Sequence, residues 1–210
     1  LEFGFIKDVQ KIISLLPKER QSLLFSATMP SDIRSLSKEI LIEPENIEVT
    51  PESSTVERIK QTAKYLRPDE KIDELTKIIK SERVKSVLVF SRTKHGADKI
   101  VKRLLKNSIE AVAIHGNKSQ GARERALRGF KNHKIKVLIA TDIAARGIDI
   151  PNISHVVNFN IPEDPKVYVH RIGRTARAGN RGTAISFYGD RDISKLIAIE
   201  KIINQKIIRK

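Results

Sequence analysis

Short β-branched runs alternate with amphipathic stretches along most of the chain, a pattern that predicts a parallel sheet flanked by helices. KSVLVFS, residues 85–91, reads as a fully buried strand. Residues 94–106 follow with Ala97, Ile100, Val101, Leu104 and Leu105 at helical spacing. Residues 111–114 read as a strand and 119–130 as a helix with Ser119 at its N-cap. Then come a strand at 136–140, a short helix, a strand at 154–158 and a helix opened by Pro165 that runs toward Arg171. A strand at 182–188 and a closing helix at 192–203 end the pattern. At least five strand–helix steps fit between residues 59 and 204, as one doubly wound α/β domain.

The first fifty residues follow another rhythm: helix at 6–16, strand at 22–26, helix at 31–40 and a short strand at 47–49. One buried-looking strand and two helices cannot make a sheet with both faces covered. Residues 1–50 are therefore expected to be the end of another α/β domain, 51–58 a polar linker, and 59–210 the main domain. In the alternative, the early strand joins the main sheet. No internal repeat is evident.

Composition sharpens this picture. At 40% apolar residues the 210-residue chain has ample material for a core. Its longest apolar runs are strand-length, and LEFGFIKDVQ lacks the basic head and apolar centre of a signal peptide, so a cytoplasmic protein without membrane contact is expected. Cysteine is absent and the five histidines do not fall at metal-ligand spacing, so no protein-bound metal is expected. The formal charge of +15 points to a polyanion partner, against the plainer reading of a basic, soluble protein. Aromatics make up 5% and tryptophan is missing, which favours tracking a phosphate backbone over extended base stacking.

In open parallel sheets, ligands gather at the carboxyl ends of the strands. Four polar clusters fall there: Arg92, Thr93 and Lys94; His115 and Gly116 with Gln120 and Arg123; Thr141 and Asp142 leading to Arg146, Gly147 and Asp149; and the helix that delivers His170, Arg171 and Arg174. Within HRIGRTARAG, residues 170–179, Arg171, Arg174 and Arg177 recur every third position. Arginine forks suit phosphate oxygens, so the run reads either as a phosphate clamp or as a solvated basic loop.

SAT (26–28), VLVFSRTK (87–94), GNKSQGAR (116–123), ATDIAARGIDI (140–150) and HRIGRTARAG resemble, in order and interval, the carboxyl-terminal motifs of DEAD-box ATP-dependent RNA helicases, with the bacterial RhlE-like group the nearest in pattern. The resemblance spans essentially the whole chain. It implies a RecA-like, three-layer α/β/α domain preceded by the tail of a first RecA-like domain. Ala176 stands where the family usually has glycine, and the chain has no GKT phosphate loop, adenine-recognition glutamine motif or DEAD box. The opening LEFGFIKDV resembles the stretch shortly after a DEAD box, which implies a start inside the first domain.

The resemblance implies roles residue by residue. Arg174 and Arg177 would be arginine fingers on the γ-phosphate of ATP, rather than partners of local acids or solvent. Asp149 would take the ATP ribose, or else cap a turn before Pro151. His170 would couple ATP state to domain closure, or else be a buried structural histidine. Gln120, Arg123, Thr141 and Gly147 would contact the backbone of single-stranded or duplex RNA, with Arg92 and Thr93 as further candidates. Arg123 could instead pair within its own helix. Ser26 and Thr28 would link the two domains. Mg²⁺ would enter with ATP, its ligands lying in the missing first domain, so the chain alone is expected to lack ATPase activity. An apolar surface left on residues 1–50 would favour a dimer. A binding module without any ATP role, and an enzyme of another two-domain ATPase type, are the competing readings.

Overall fold

The computed structural model describes residues 6–26, 29, 31–48, 55–81, 84–145, 153–176 and 180–210. The chain forms two compact units, Leu1–Thr50 and Pro51–Lys210. Among the described residues, no helix is long and apolar enough to cross a membrane.

In the first unit, α1 (Ile6–Ser14) and α2 (Ser31–Ile40) form as expected, α1 two residues shorter. Gln10 Nε2 donates to Glu39 Oε2 at 2.9 Å. The expected strand at 22–26 does not form, and neither do the described residues of the one at 47–49; Val49 lies outside them. A strand exists only where a neighbour takes up its N–H and C=O groups. Here the apolar side chains are left bare, with Phe25 at 89% and Ile47 at 84% exposure.

The second unit holds a seven-stranded, wholly parallel sheet. A 3₁₀ turn (Thr55–Arg58) leads into β1 (Ile59–Tyr65) and α3 (Lys71–Lys80). Then follow β2 (Val87–Phe90), α4 (Lys94–Lys106), β3 (Ala111–Ile114), α5 (Gln120–Lys131), β4 (Val137–Ala140) and α6 (Asp142–Ala145). The chain continues through β5 (His155–Asn158), α7 (Pro165–Ile172), β6 (Gly182–Tyr188), α8 (Ile193–Ile203) and β7 (Ile208–Arg209). The strand order is β3-β4-β2-β5-β6-β1-β7. The closing helix was expected to end the chain. Instead Asn204, at φ 50°, turns it back so that β7 pairs with β1.

Side-chain alternation decides how the layers stack. Val87 and Val89 of β2 pack with Ile72, Leu75 and Ile79 of α3 and Ala97, Ile100 and Leu104 of α4. Leu88 and Phe90 point the other way, with Ala126 and Phe130 of α5 and Ala144 and Ala145 of α6. Farther along that second face, Tyr168 and Ile172 of α7 and Leu196 and Ile199 of α8 cover Ala63, Ala184 and Tyr188. The result is a doubly wound α/β sheet, buried on both faces as the sequence pattern requires.

Candidate nucleic-acid and nucleotide site

Because every strand is parallel, all carboxyl ends open on one edge, and the central order β3-β4-β2-β5 sets which clusters are neighbours. From β2 the chain turns at Arg92 and Thr93. Thr93 accepts from the Gly96 N–H at 3.0 Å and so caps α4. The Arg92 backbone is held by Asn160 Oδ1, 3.2 Å away at the end of β5, while its guanidinium stays half exposed and 3.8 Å from Glu163. On the other side of β2, Thr141 follows β4, its N–H donating to Ile114 O of β3 at 3.4 Å. Beyond β3, Ser119 caps α5 by accepting from the Ala122 N–H at 3.3 Å. That cap presents Gln120 and Arg123 on the first turn. Arg92, Thr93, Thr141, Gln120 and Arg123 thus occupy adjacent strand ends.

Gln120 and Arg123 also interact locally. Arg123 Nη1 donates to Gln120 Oε1 at 3.4 Å, and Gln120 Nε2 to Glu124 Oε1 at 2.9 Å. The intrahelical pairing weighed as an alternative for Arg123 is therefore present, with Gln120 as partner. Arg123 Nε is buried with no hydrogen-bond partner among the described residues. Behind this turn, buried His115 lies 3.1 Å from Asp98 Oδ1, close enough for an ion pair but not aligned for a hydrogen bond. Lys118 Nζ meets the same carboxylate at 2.9 Å.

The arginine run divides in an unforeseen way. Asp164 caps α7 and Pro165 opens it, which sets the helix rotation so that Arg171 points inward. At 3% exposure, Arg171 makes a two-pronged contact with Asp142, Nε–Oδ1 at 2.6 Å and Nη2–Oδ2 at 2.8 Å. Its Nη1 donates to Asn158 Oδ1 at 3.1 Å and to Asn160 O at 2.8 Å, and its guanidinium lies 5.0 Å from the Phe90 ring centroid. Arg171 is therefore no member of a phosphate clamp. It ties α6, β5 and α7 together behind the edge. The roles of Asp142, Asn158 and Asn160 in this network were not visible in the sequence, where no spacing links them.

His170 is exposed, which excludes the buried structural alternative. Arg174 is partly exposed in the turn after α7. The next two residues are fixed: Thr175 Oγ1 donates to Ile153 O, and Thr175 pairs with Ile153 as an isolated bridge. A Cβ at Gly182 would collide with the Thr175 side chain and the Ala176 N–H, so this glycine permits the close approach. Ala176 is buried and adopts φ 57°, the left-handed region glycine favours. Thr28, Gly147, Asp149 and Arg177 lie outside the described residues; Ser26 is in irregular, exposed chain.

The parallel sheet, its helix-covered faces and a polar carboxyl edge define a RecA-like α/β domain. Residues 70–179, more than half of the chain, match the family described as Helicase conserved C-terminal domain. Over 209 residues, the whole of this chain, it is 43% identical to the DEAD-box ATP-dependent RNA helicase CshA of Bacillus subtilis, covering 42% of that protein. Identity to CshA of Geobacillus kaustophilus is 44%, again over the whole chain and covering 45% of the relative. The chain thus spans less than half the length of these curated relatives. Among solved structures, Saccharomyces cerevisiae Dbp5 bound to RNA and ADP BeF3 superposes with a TM-score of 0.86 at 33% identity, covering 100% of this chain and 56% of that one. The chain belongs to the DEAD-box RNA helicase family and carries its helicase C-terminal domain.

Proposed function

We propose that this chain supplies one wall of an ATP-dependent RNA helicase, with separate residues for RNA and for ATP. Arg92, Thr93, Gln120, Arg123 and Thr141, joined by Gly147, hold the RNA backbone. Arg174 and Arg177 act as arginine fingers, and Asp149 takes the ribose. The observation that carries this reading is the gathering of five of the RNA candidates on adjacent strand ends, beside an α7 turn held in place by Arg171. Contacts to phosphate and 2′-hydroxyl groups make such an edge tolerant of sequence yet selective for RNA.

Arg174, in the turn after α7, would meet a phosphate from a facing domain and offset the charge that develops as a phosphoryl group leaves. When bound, ATP with Mg²⁺ supplies that phosphoryl group. The Mg²⁺ that accompanies ATP would take its ligands from the facing domain. Residues 1–50 belong to that first domain, with Ser26, Thr28 and His170 coupling the two. The apolar residues exposed on 1–50 also offer a contact for a second copy of the chain.

Fluorescence anisotropy with a labelled oligonucleotide tests the RNA part. The 210-residue chain should bind weakly and in a salt-sensitive way, and Arg123→Ala should weaken it; an unchanged titration removes the site. With neither a GKT loop nor a DEAD box in its 210 residues, the chain alone should release no phosphate from ATP, with or without RNA. In a longer protein that carries both, Arg174→Ala should depress kcat far more than ATP affinity, and equal losses would place its action in the ground state.

A further inference from the structure

A cleft of about 570 Å³ opens on the α3–α4 side of the carboxyl edge, within the usual range of ligand sites, about 300–1,000 Å³. Ile72, Ile100 and Phe159 form an apolar floor, and Arg92, Lys99 and Arg103 a basic rim. Phe159 is braced edge-to-face by Phe187, ring centroids 5.8 Å apart. Lys71 holds its backbone, Nζ donating to Phe159 O at 3.3 Å. The ring therefore presents a fixed face. Lys99 and Arg103 are one turn apart on α4, so their side chains lie side by side on one stripe, a spacing suited to successive phosphates of an extended strand. Asp69 is the single carboxylate among the described lining residues, and Arg67 lies 3.8 Å from it.

Arg92 belongs both to this rim and to the row of candidates along the edge, so the cleft continues that row rather than forming a separate patch. We propose that it takes one nucleotide of an RNA strand crossing the edge, its base on the apolar floor beside Phe159 and its flanking phosphates on Lys99 and Arg103. The proposal rests on the RNA reading of the edge. Three cations against one carboxylate select a polyanion, and the braced aromatic ring gives a base a surface that a bare phosphate track lacks. A single such platform fits a chain poor in aromatics.

The test is anisotropy with oligouridylates of 6 and 12 nucleotides, using the exposed pair Lys99→Ala/Arg103→Ala, which leaves the core intact. The double variant should bind the 12-mer about tenfold more weakly and the 6-mer as wild type does. Its salt slope for the 12-mer should fall by about 1.4, the loss of two single-strand phosphate contacts. A 12-mer with central abasic sites should bind wild type severalfold more weakly than the intact strand. Arg123→Ala should weaken both lengths. If Arg123→Ala weakens both while the double variant binds like wild type, the cleft is overturned and the edge stands. If neither length binds wild type, both readings fail together. An abasic strand that binds as tightly as the intact one removes the base from the floor. An acidic peptide that binds at Lys99 and Arg103, with RNA affinity insensitive to the pair, assigns the cleft to a protein partner instead.

Discussion

At Arg171 the side-chain chemistry that suits a phosphate is used inside the protein. The guanidinium is buried, and its forked contact with Asp142 plus two further acceptors satisfies it from α6, β5 and the loop that follows β5. Removing one partner of such a pair strands the other, at a cost of about 3–5 kcal/mol for a fully buried pair. Asp142 is one-third exposed, so Arg171→Ala should fall toward the lower end in urea unfolding. Arg171→Lys keeps the charge but not the planar fork, and should recover only part of the loss. A lysine variant as stable as wild type would show that charge alone suffices. Ala176 poses a closer balance. Its left-handed backbone costs about 1–2 kcal/mol, whereas its buried methyl contributes about 0.8 kcal/mol and Gly would add about 0.4–1 kcal/mol of unfolded-state freedom. These nearly cancel, so Ala176→Gly should shift stability by less than about 1 kcal/mol. A loss beyond about 2 kcal/mol would mean that the methyl packs harder than its burial implies.

Among the elements, β7 depends most on a single side chain. It is two residues long and exposed, yet its flank is locked by Glu200 of α8, 5% exposed. Glu200 accepts from the Ile207 N–H at 3.0 Å and from Arg209 Nη2 at 3.2 Å. Glu200→Ala leaves that buried N–H unpaired, a cost of about 1–3 kcal/mol. Amide exchange at Lys210, which donates to Ala63 O at 2.9 Å, should then accelerate more than exchange in β2. Equal acceleration in both would mean that β7 unfolds only with the whole sheet. Such a strand was illegible in the sequence, because two residues show no period and its lock is a helix side chain. β1 carries no local mark in the sequence, since Gln61 and Thr62 put polar residues inside; Gln61 is buried and accepts from the Tyr168 hydroxyl at 2.8 Å. By contrast α4, β3 and β6 match their expected bounds residue for residue, since Thr93, buried aliphatic runs and Gly182 mark them locally. The strand at 22–26 shows the reverse error: its pattern was legible, but the partner a strand requires lies outside its own sequence. For the site, strand ends were readable from periodicity, whereas the inward turn of Arg171 depends on helix rotation, which spacing does not reveal.

Across the whole molecule, the titrating groups that favour the folded state pull in one direction on the acid side. Burial and the nearby Lys136 charge hold the His155 imidazole below its ordinary value of 6.5. Burial would raise the Asp98 and Glu200 carboxyls, but His115 and Lys118 beside the one, and the Ile207 N–H with Arg209 and Lys206 beside the other, hold both below their ordinary values of 3.8 and 4.5. A group whose pKa is depressed by folding adds stability above its unfolded value, and that stability is lost as pH falls toward the folded value. His155 therefore sets a first decline that begins below 6.5, while Asp98 and Glu200 set a second that begins below 4.5. The formal charge of +15 at pH 7 deepens both, since each protonation adds to an already positive chain. Urea midpoints measured from pH 8 to pH 3 should be flat above 7, fall in two stages, and be restored in part by salt, which screens the repulsion. His155→Gln should flatten the upper stage and leave the lower one in place. A variant whose profile overlays that of wild type between pH 7 and 5 would remove His155 as the source, and leave the net charge to account for the upper stage.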